Sequence, residues 1–465
     1  MKLLQQGRGA GFLAAVDAGK RASADLLDCV LHDPRWDRQV ESRDDYYAQL
    51  LLATDTNIDA VHRFILEEGR EADDADFWLP IGVLAEMSRR GSASANDAMA
   101  EAVTTGAQWR SCLDALDAAG GLDLVRQVVS VEAVKTLMSR VGVNEIADAV
   151  ELVAAPWESW AEQVPALRFV ISGNKSGRAL EPRRLSGNVA WAASRLLKPE
   201  IPDDLAALTT ESLLLLSATS GAASEVAKEL ARRTDPKSLR LLVTAVELGT
   251  PGERNVALRA LGRQGSTEFV AAAEEFLRRA STLALTEGRE NQRRIGFVRY
   301  LEELPPAVSL PLARTWFFEA WPLALAAQHI LARHAASDDR PMLEAAGAAA
   351  LESSDMYRLC SVVDALATAG PDDSLPFLAE VYEQAPYSWA RRRVVGAMGR
   401  CHITGAADRY LEEALWDCEP ESRKLACRAI GKSTNFPLAR IRELASDPYE
   451  EDFVGEAARG ALERK

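Results

Sequence analysis

A chain of 465 residues with 48% hydrophobic residues holds enough apolar mass for two or three cores or one extended array. Its formal charge of −15 opposes non-specific binding to nucleic acid or to an anionic membrane surface. The six cysteines (Cys29, Cys112, Cys360, Cys401, Cys418 and Cys427) include no C-x-x-C pair, and no stretch is long and apolar enough to span a bilayer. The N-terminal run "MKLLQQGRGAGFLAAVDAGKR" is broken by glycines and by Asp17, which is a poor match to a signal peptide. The expectation is a cytoplasmic protein with reduced cysteines, no bound metal and no cofactor.

In chain order, residues 1–155 read as irregular helical repeats. "LLDCVL" leads into "HDPRW" (32–36), where Asp33 is placed to accept hydrogen bonds from a helix start and Pro34 suits its first position. The same punctuation recurs in "TDPKS" (234–238) and "SDPYE" (446–450). Asp-Pro is thus expected to end one helix and open the next, which makes His32 and Asp33 a poor acid–base pair. "SRDDYYAQLLLA" restarts a helix with Tyr47, Leu50 and Leu51 inward. Arg35, Trp36, Arg38 and Tyr46 form a candidate partner-binding patch, because Trp, Tyr and Arg dominate interface hot spots. Helical stripes follow at 57–69, 77–91 and 109–121. The first hundred residues carry 11 Lys+Arg against 18 Asp+Glu, so this end is acidic.

Residues 156–200 depart from that pattern. Between 168 and 198, Arg168, Lys175, Arg178, Arg183, Arg184, Arg195 and Lys198 face a single acid, Glu181. Glycines, serines and a proline over 172–187 predict a basic loop. "GNKSG" has neither the spacing nor the preceding strand of a phosphate-binding loop.

Residues 201–465 repeat themselves. "PGERNVALRALGRQGS" (251–266) aligns with "PESRKLACRAIGKSTN" (420–435), pairing Arg254 with Arg423, Ala257 with Ala426 and Arg259 with Arg428. "WARRRVVGAMGR" (389–400) places Arg391 against Arg254. In the first copy Val256, Ala257, Ala260 and Leu261 form one apolar stripe that neighbouring helices must cover. Gly262, Gly399 and Gly431 fall just past the last apolar residue, where a left-handed helix terminus favours glycine. Intervals of 29 residues (Gly370 to Gly399) and 32 residues (Gly399 to Gly431) each hold two helices and their turns.

With its arginine near the start of the second helix and its A-[LIM]-G close, this array resembles the short bacterial HEAT-like repeat. The resemblance covers roughly 225–465. It implies an all-α fold, a right-handed superhelix of stacked antiparallel helix pairs of the HEAT-like or armadillo-type α-solenoid. It also implies that Arg254, Arg391 and Arg423 brace neighbouring turns. Second helices in such a solenoid line the concave side, which would bring Arg259, Arg263, Arg400, Arg428 and Lys432 into a cationic row.

Two functions follow as expectations. The first is a non-enzymatic scaffold or adaptor whose concave face binds an acidic segment of a protein partner. The alternative is a nucleic-acid-binding enzyme of the HEAT-like DNA glycosylase type, similar in architecture alone, since no catalytic residue can be matched. The sequence holds no G-x-S-x-G, no H-E-x-x-H and no dinucleotide fingerprint. His329 and His334, five residues apart, do not share a helix face. Oligomeric state is not legible.

Overall fold

The computed structural model describes residues 1–67, 74–142, 145–146, 155–165, 167–168, 171, 204–216, 223–280, 289–401, 407–430 and 437–464. Among them every regular element is helical and no strand occurs. The predicted basic loop at 172–187 lies outside the described residues, as do Gly431 and Lys432. No described helix is long and apolar enough to cross a membrane. The chain divides into two compact units: Met1–Arg183 together with Leu375–Lys465, and Arg184–Ser374.

The second unit is built from packed helix pairs. Pro236–Leu248 packs on Pro251–Arg263, Val270–Ala280 on Arg289–Glu303, Pro306–Trp316 on Leu323–His334, and Arg340–Glu352 on Met356–Ala369. The second member of each pair also touches the second member of the next. Local sequence explains the boundaries. Asp235 accepts from the backbone N–H of Lys237 and Ser238 with Pro236 behind it, and Thr250 forms a reciprocal capping box with Glu253. Val256, Ala257, Ala260 and Leu261 are all buried, as the stripe requires.

The recurring arginine has one job in all three copies. Arg254 donates to the carbonyls of Val246 (2.8 Å) and Gly249 (3.1 Å). Arg391 donates to Ala385 O at 3.5 Å, and Arg423 to the carbonyls of Asp417 (2.8 Å) and Cys418 (3.0 Å). Each guanidinium closes the connection that precedes its own helix, satisfying carbonyls that the preceding segment leaves open.

Two sequence expectations fail for local reasons. Gly262 and Gly399 are not left-handed termini: Gly262 lies inside helix Pro251–Arg263, and Gly399 has φ −66°. Both are needed for close approach instead. A Cβ on Gly262 would lie 2.6 Å from the Tyr300 carbonyl, and one on Gly399 would lie 3.2 Å from Ala429 Cβ. Asp-Pro opens a helix only at Asp235. At Asp33 and Asp447 the side chain instead accepts the N–H two residues on, and the next helices begin later, at Asp44 and Asp452.

The first unit joins sequence extremes. Arg8 forks onto Glu413 at 2.8 and 2.9 Å, and the Cys418 N–H donates to Gly7 O at 2.9 Å. Glu41 accepts the Ser388 N–H at 2.9 Å, and Arg391 also reaches the Gln6 carbonyl. Tyr46 and Tyr47 donate to the carbonyls of Arg8 and Leu4 at 2.9 and 2.8 Å. Arg43, fully buried, is held by Glu41 (2.9 Å) and the Gln5 carbonyl. Beside this junction the Asp44 carboxyl packs against Gly82, its Oδ1 sealed and unpartnered. Burial, with like charge from Asp33 and Asp45 working against Arg35, pushes it up to about 6.

Two measurements test the packing. Gly9 has no room for a side chain, since its Cβ would lie 1.9 Å from the Glu413 carbonyl. Gly9→Ala is expected to destabilise by about 1–3 kcal/mol in chemical unfolding. Gly460→Ala, which meets only the far end of Arg464, is expected to stabilise by about 0.5–1 kcal/mol. For Asp44, a raised native pKa means the folded state binds the proton more tightly, so its contribution is present below pH 3.8 and lost as pH rises through about 6. Asp44→Asn should therefore come close to the parent near pH 4 and exceed it at pH 8 by about 2–3 kcal/mol. Equal stabilities at pH 8 would show that the carboxyl is hydrated.

Candidate functional site

Of the residues expected to meet a partner, those in the N-terminal stretch are largely turned inward. Tyr46 is buried, with its hydroxyl on the Arg8 carbonyl. Arg35 lies fork-to-fork on Asp33 at 2.9 and 2.7 Å, and Trp36 packs against Tyr387 with ring centroids 4.8 Å apart. Arg38 is exposed and pairs with Asp76 at 2.8 Å. These side chains tie segments of the first unit together, in place of the open patch expected from composition. His32 turns away from Asp33 and bonds to Asp28 at 2.9 Å, so the two do not form a dyad.

The expected cationic row divides between the two units. Arg400 and Arg428 are exposed residues of the first, and Arg259 and Arg263 belong to the second. In the second unit three consecutive second helices each present side chains at i and i+4, and hence on one face. Helix Pro251–Arg263 offers Arg259 and Arg263, helix Arg289–Glu303 offers Arg299 and Glu303 with Glu302 beside them, and helix Leu323–His334 offers His329 and Arg333. The first two helices approach closely because Gly262 and Gly296 lack side chains; a Cβ on Gly296 would lie 2.2 Å from Asn255 Oδ1.

That approach sets the electrostatics. Glu303 accepts from Arg259 at 3.2 Å and from Nε and Nη2 of Arg263 at 2.8 and 2.9 Å. Glu302 is 1% exposed and accepts from Arg299 (2.9 Å), Arg333 (3.3 Å) and His329 Nδ1. Its three partners are far more open, at 48%, 45% and 40% exposed respectively. Burial alone pushes both carboxyls up, but His329, Arg299 and Arg333 hold Glu302, and Arg263 and Arg259 hold Glu303, below the ordinary carboxylate range.

Four guanidiniums and an imidazole thus share two carboxylates, leaving the face with surplus positive charge on an anionic chain. Glu302 and His329 touch as a general-base dyad would. The same carboxylate also carries two guanidiniums, so it serves as a counter-ion that fixes three donors in place. Arginines fixed in this way offer their remaining N–H groups to an anion with little further loss of freedom.

Arg299, Glu302, Glu303 and Arg333 were not singled out from sequence, and His329 was considered only as a partner for His334. Their signal is the i, i+4 spacing of ionic residues on three successive helices, at 259/263, 299/303 and 329/333. A second omission is the loop within "TWFFEAWP" (315–322), where Phe318 and Trp321 are exposed. Arg294 stacks over Trp321 at 4.3 Å, and Arg358 lies 5.3 and 5.6 Å from the rings of Phe317 and Phe318. Among the described residues no group of three His, Cys, Asp or Glu side chains is placed to hold a metal ion. Set against protein-family models and curated proteins, the chain matches none of them.

Proposed function

We propose that this protein is a non-enzymatic binding scaffold of the HEAT-like α-solenoid kind. On this reading the helix pairs stack as a right-handed superhelix, and the second helices line the side that receives an acidic segment of a protein partner. The repeated guanidinium brace and the row of touching second helices support the architecture. The observation that carries the function is the pair of carboxylates, Glu302 and Glu303, which hold Arg259, Arg263, Arg299, Arg333 and His329 on one face. Such surplus charge attracts a short anionic peptide. A long polyanion must also overcome the repulsion of a chain carrying −15.

Fluorescence anisotropy with labelled probes tests this. An Asp/Glu-rich peptide should bind, its Asn/Gln counterpart should not, and Arg263→Gln or Arg333→Gln should each weaken binding by about tenfold. Single-stranded and duplex oligonucleotides form the other arm. Tight oligonucleotide binding with a steep salt slope, and none to the acidic peptide, would replace the scaffold by the nucleic-acid enzyme.

A further inference from the structure

Glu302 and Glu303 are consecutive in sequence and share the ligand-facing side of their helix, yet they reach the two different helices that flank it. Glu303 gathers Arg259 and Arg263 from helix Pro251–Arg263. Glu302 gathers His329 and Arg333 from helix Leu323–His334, with Arg299 from its own helix. Two cationic centres therefore flank helix Arg289–Glu303, one over each groove. Packed helices lie about 8–10 Å apart, axis to axis. Centres seated over the two grooves that flank one helix would stand apart by a similar distance, on the order of 8–10 Å.

A ligand that satisfies both centres must carry two anionic groups at that distance and on one side. In a polyproline-II segment the rise is about 3.1 Å per residue with three residues per turn, so residues i and i+3 face the same way about 9 Å apart. Neighbouring residues are only about 3 Å apart and diverge, and residues i and i+6 are about 19 Å apart. Resting on the acidic-segment reading above, we infer that the site recognises two carboxylates three residues apart in an extended segment that crosses helix Arg289–Glu303. One carboxylate is bound by Arg259 and Arg263, the other by Arg299, His329 and Arg333. The two clusters act together because one segment bridges them, so the second contact forms at high effective concentration.

The test uses the full chain and three labelled proline-rich peptides of equal net charge, each with two glutamates, spaced i/i+1, i/i+3 or i/i+6. The i/i+3 peptide is expected to bind about tenfold more tightly than either other. Arg333→Gln, or Arg263→Gln if the first variant melts early, should reduce it to the level of the i/i+6 peptide. Equal binding of all three peptides overturns the spacing rule and leaves the acidic-segment scaffold standing. Binding by none of them, together with none by the Asp/Glu-rich peptide, overturns both.

Discussion

A guanidinium withdrawn from water has to find acceptors for its N–H groups, and much of this fold is arranged around that demand. Arg391 and Arg43 are fully buried and Arg423 nearly so. An unpaired buried charge costs several kcal/mol, roughly as much as a small domain can spare. Carbonyls at the end of the preceding segment are nearby acceptors that the helix ladder leaves open. The brace at Arg254, Arg391 and Arg423 solves both shortages together, and it fixes how each second helix leaves its turn. Arg423 also forks onto the Glu450 carboxylate at 2.8 and 2.7 Å, which ties it to the connection before helix Asp452–Glu463 as well.

The same residue type is used differently where it is half-exposed. Glu302 orients Arg299 and Arg333 while leaving nearly half of each in water, whereas Arg259 and Arg263 on Glu303 are covered to about four-fifths. In the first unit, Arg8 on Glu413 and Arg43 on Glu41 spend their charge inside. Burial therefore separates cohesion from display: a cation sealed with its anion holds elements together, and one anchored from below by a buried anion remains available. Gly262 bears on Glu303 directly, because a Cβ there would lie 3.2 Å from the Glu303 Cβ and push that carboxylate away from Arg259 and Arg263.

Local physics was legible in the sequence, and distant pairing was not. The stripe Val256, Ala257, Ala260 and Leu261 announces its buried face through helical periodicity. The arginine brace spans only five to eight residues, so a repeated motif reveals it. Gly262 misled because glycine past an apolar run has two uses, a left-handed terminus or a close approach, and only the neighbouring Tyr300 carbonyl decides between them. Trp36, Arg35 and Tyr46 misled for a related reason. Their composition suits an interface, and they do form one, but within the chain: Trp36 meets Tyr387 some 350 positions away, while Arg35 is taken up by Asp33 and Tyr46 by the Arg8 carbonyl. No sequence window reports that partner. Glu302 and Glu303 look like ordinary helix solubilisers until the helices on either side are placed.

The junction of residues 1–47 with 382–418 also bears on synthesis. Arg8 and its counter-ion Glu413 are separated by 405 positions. At ribosomal speeds of about 5–20 residues per second, the early segment waits roughly 20–80 s before the surface it fits has been made. During that interval Phe12, Tyr46 and Tyr47 lack their final covering, while the intervening unit has time to fold. Slower translation lengthens the time for which those side chains stay uncovered.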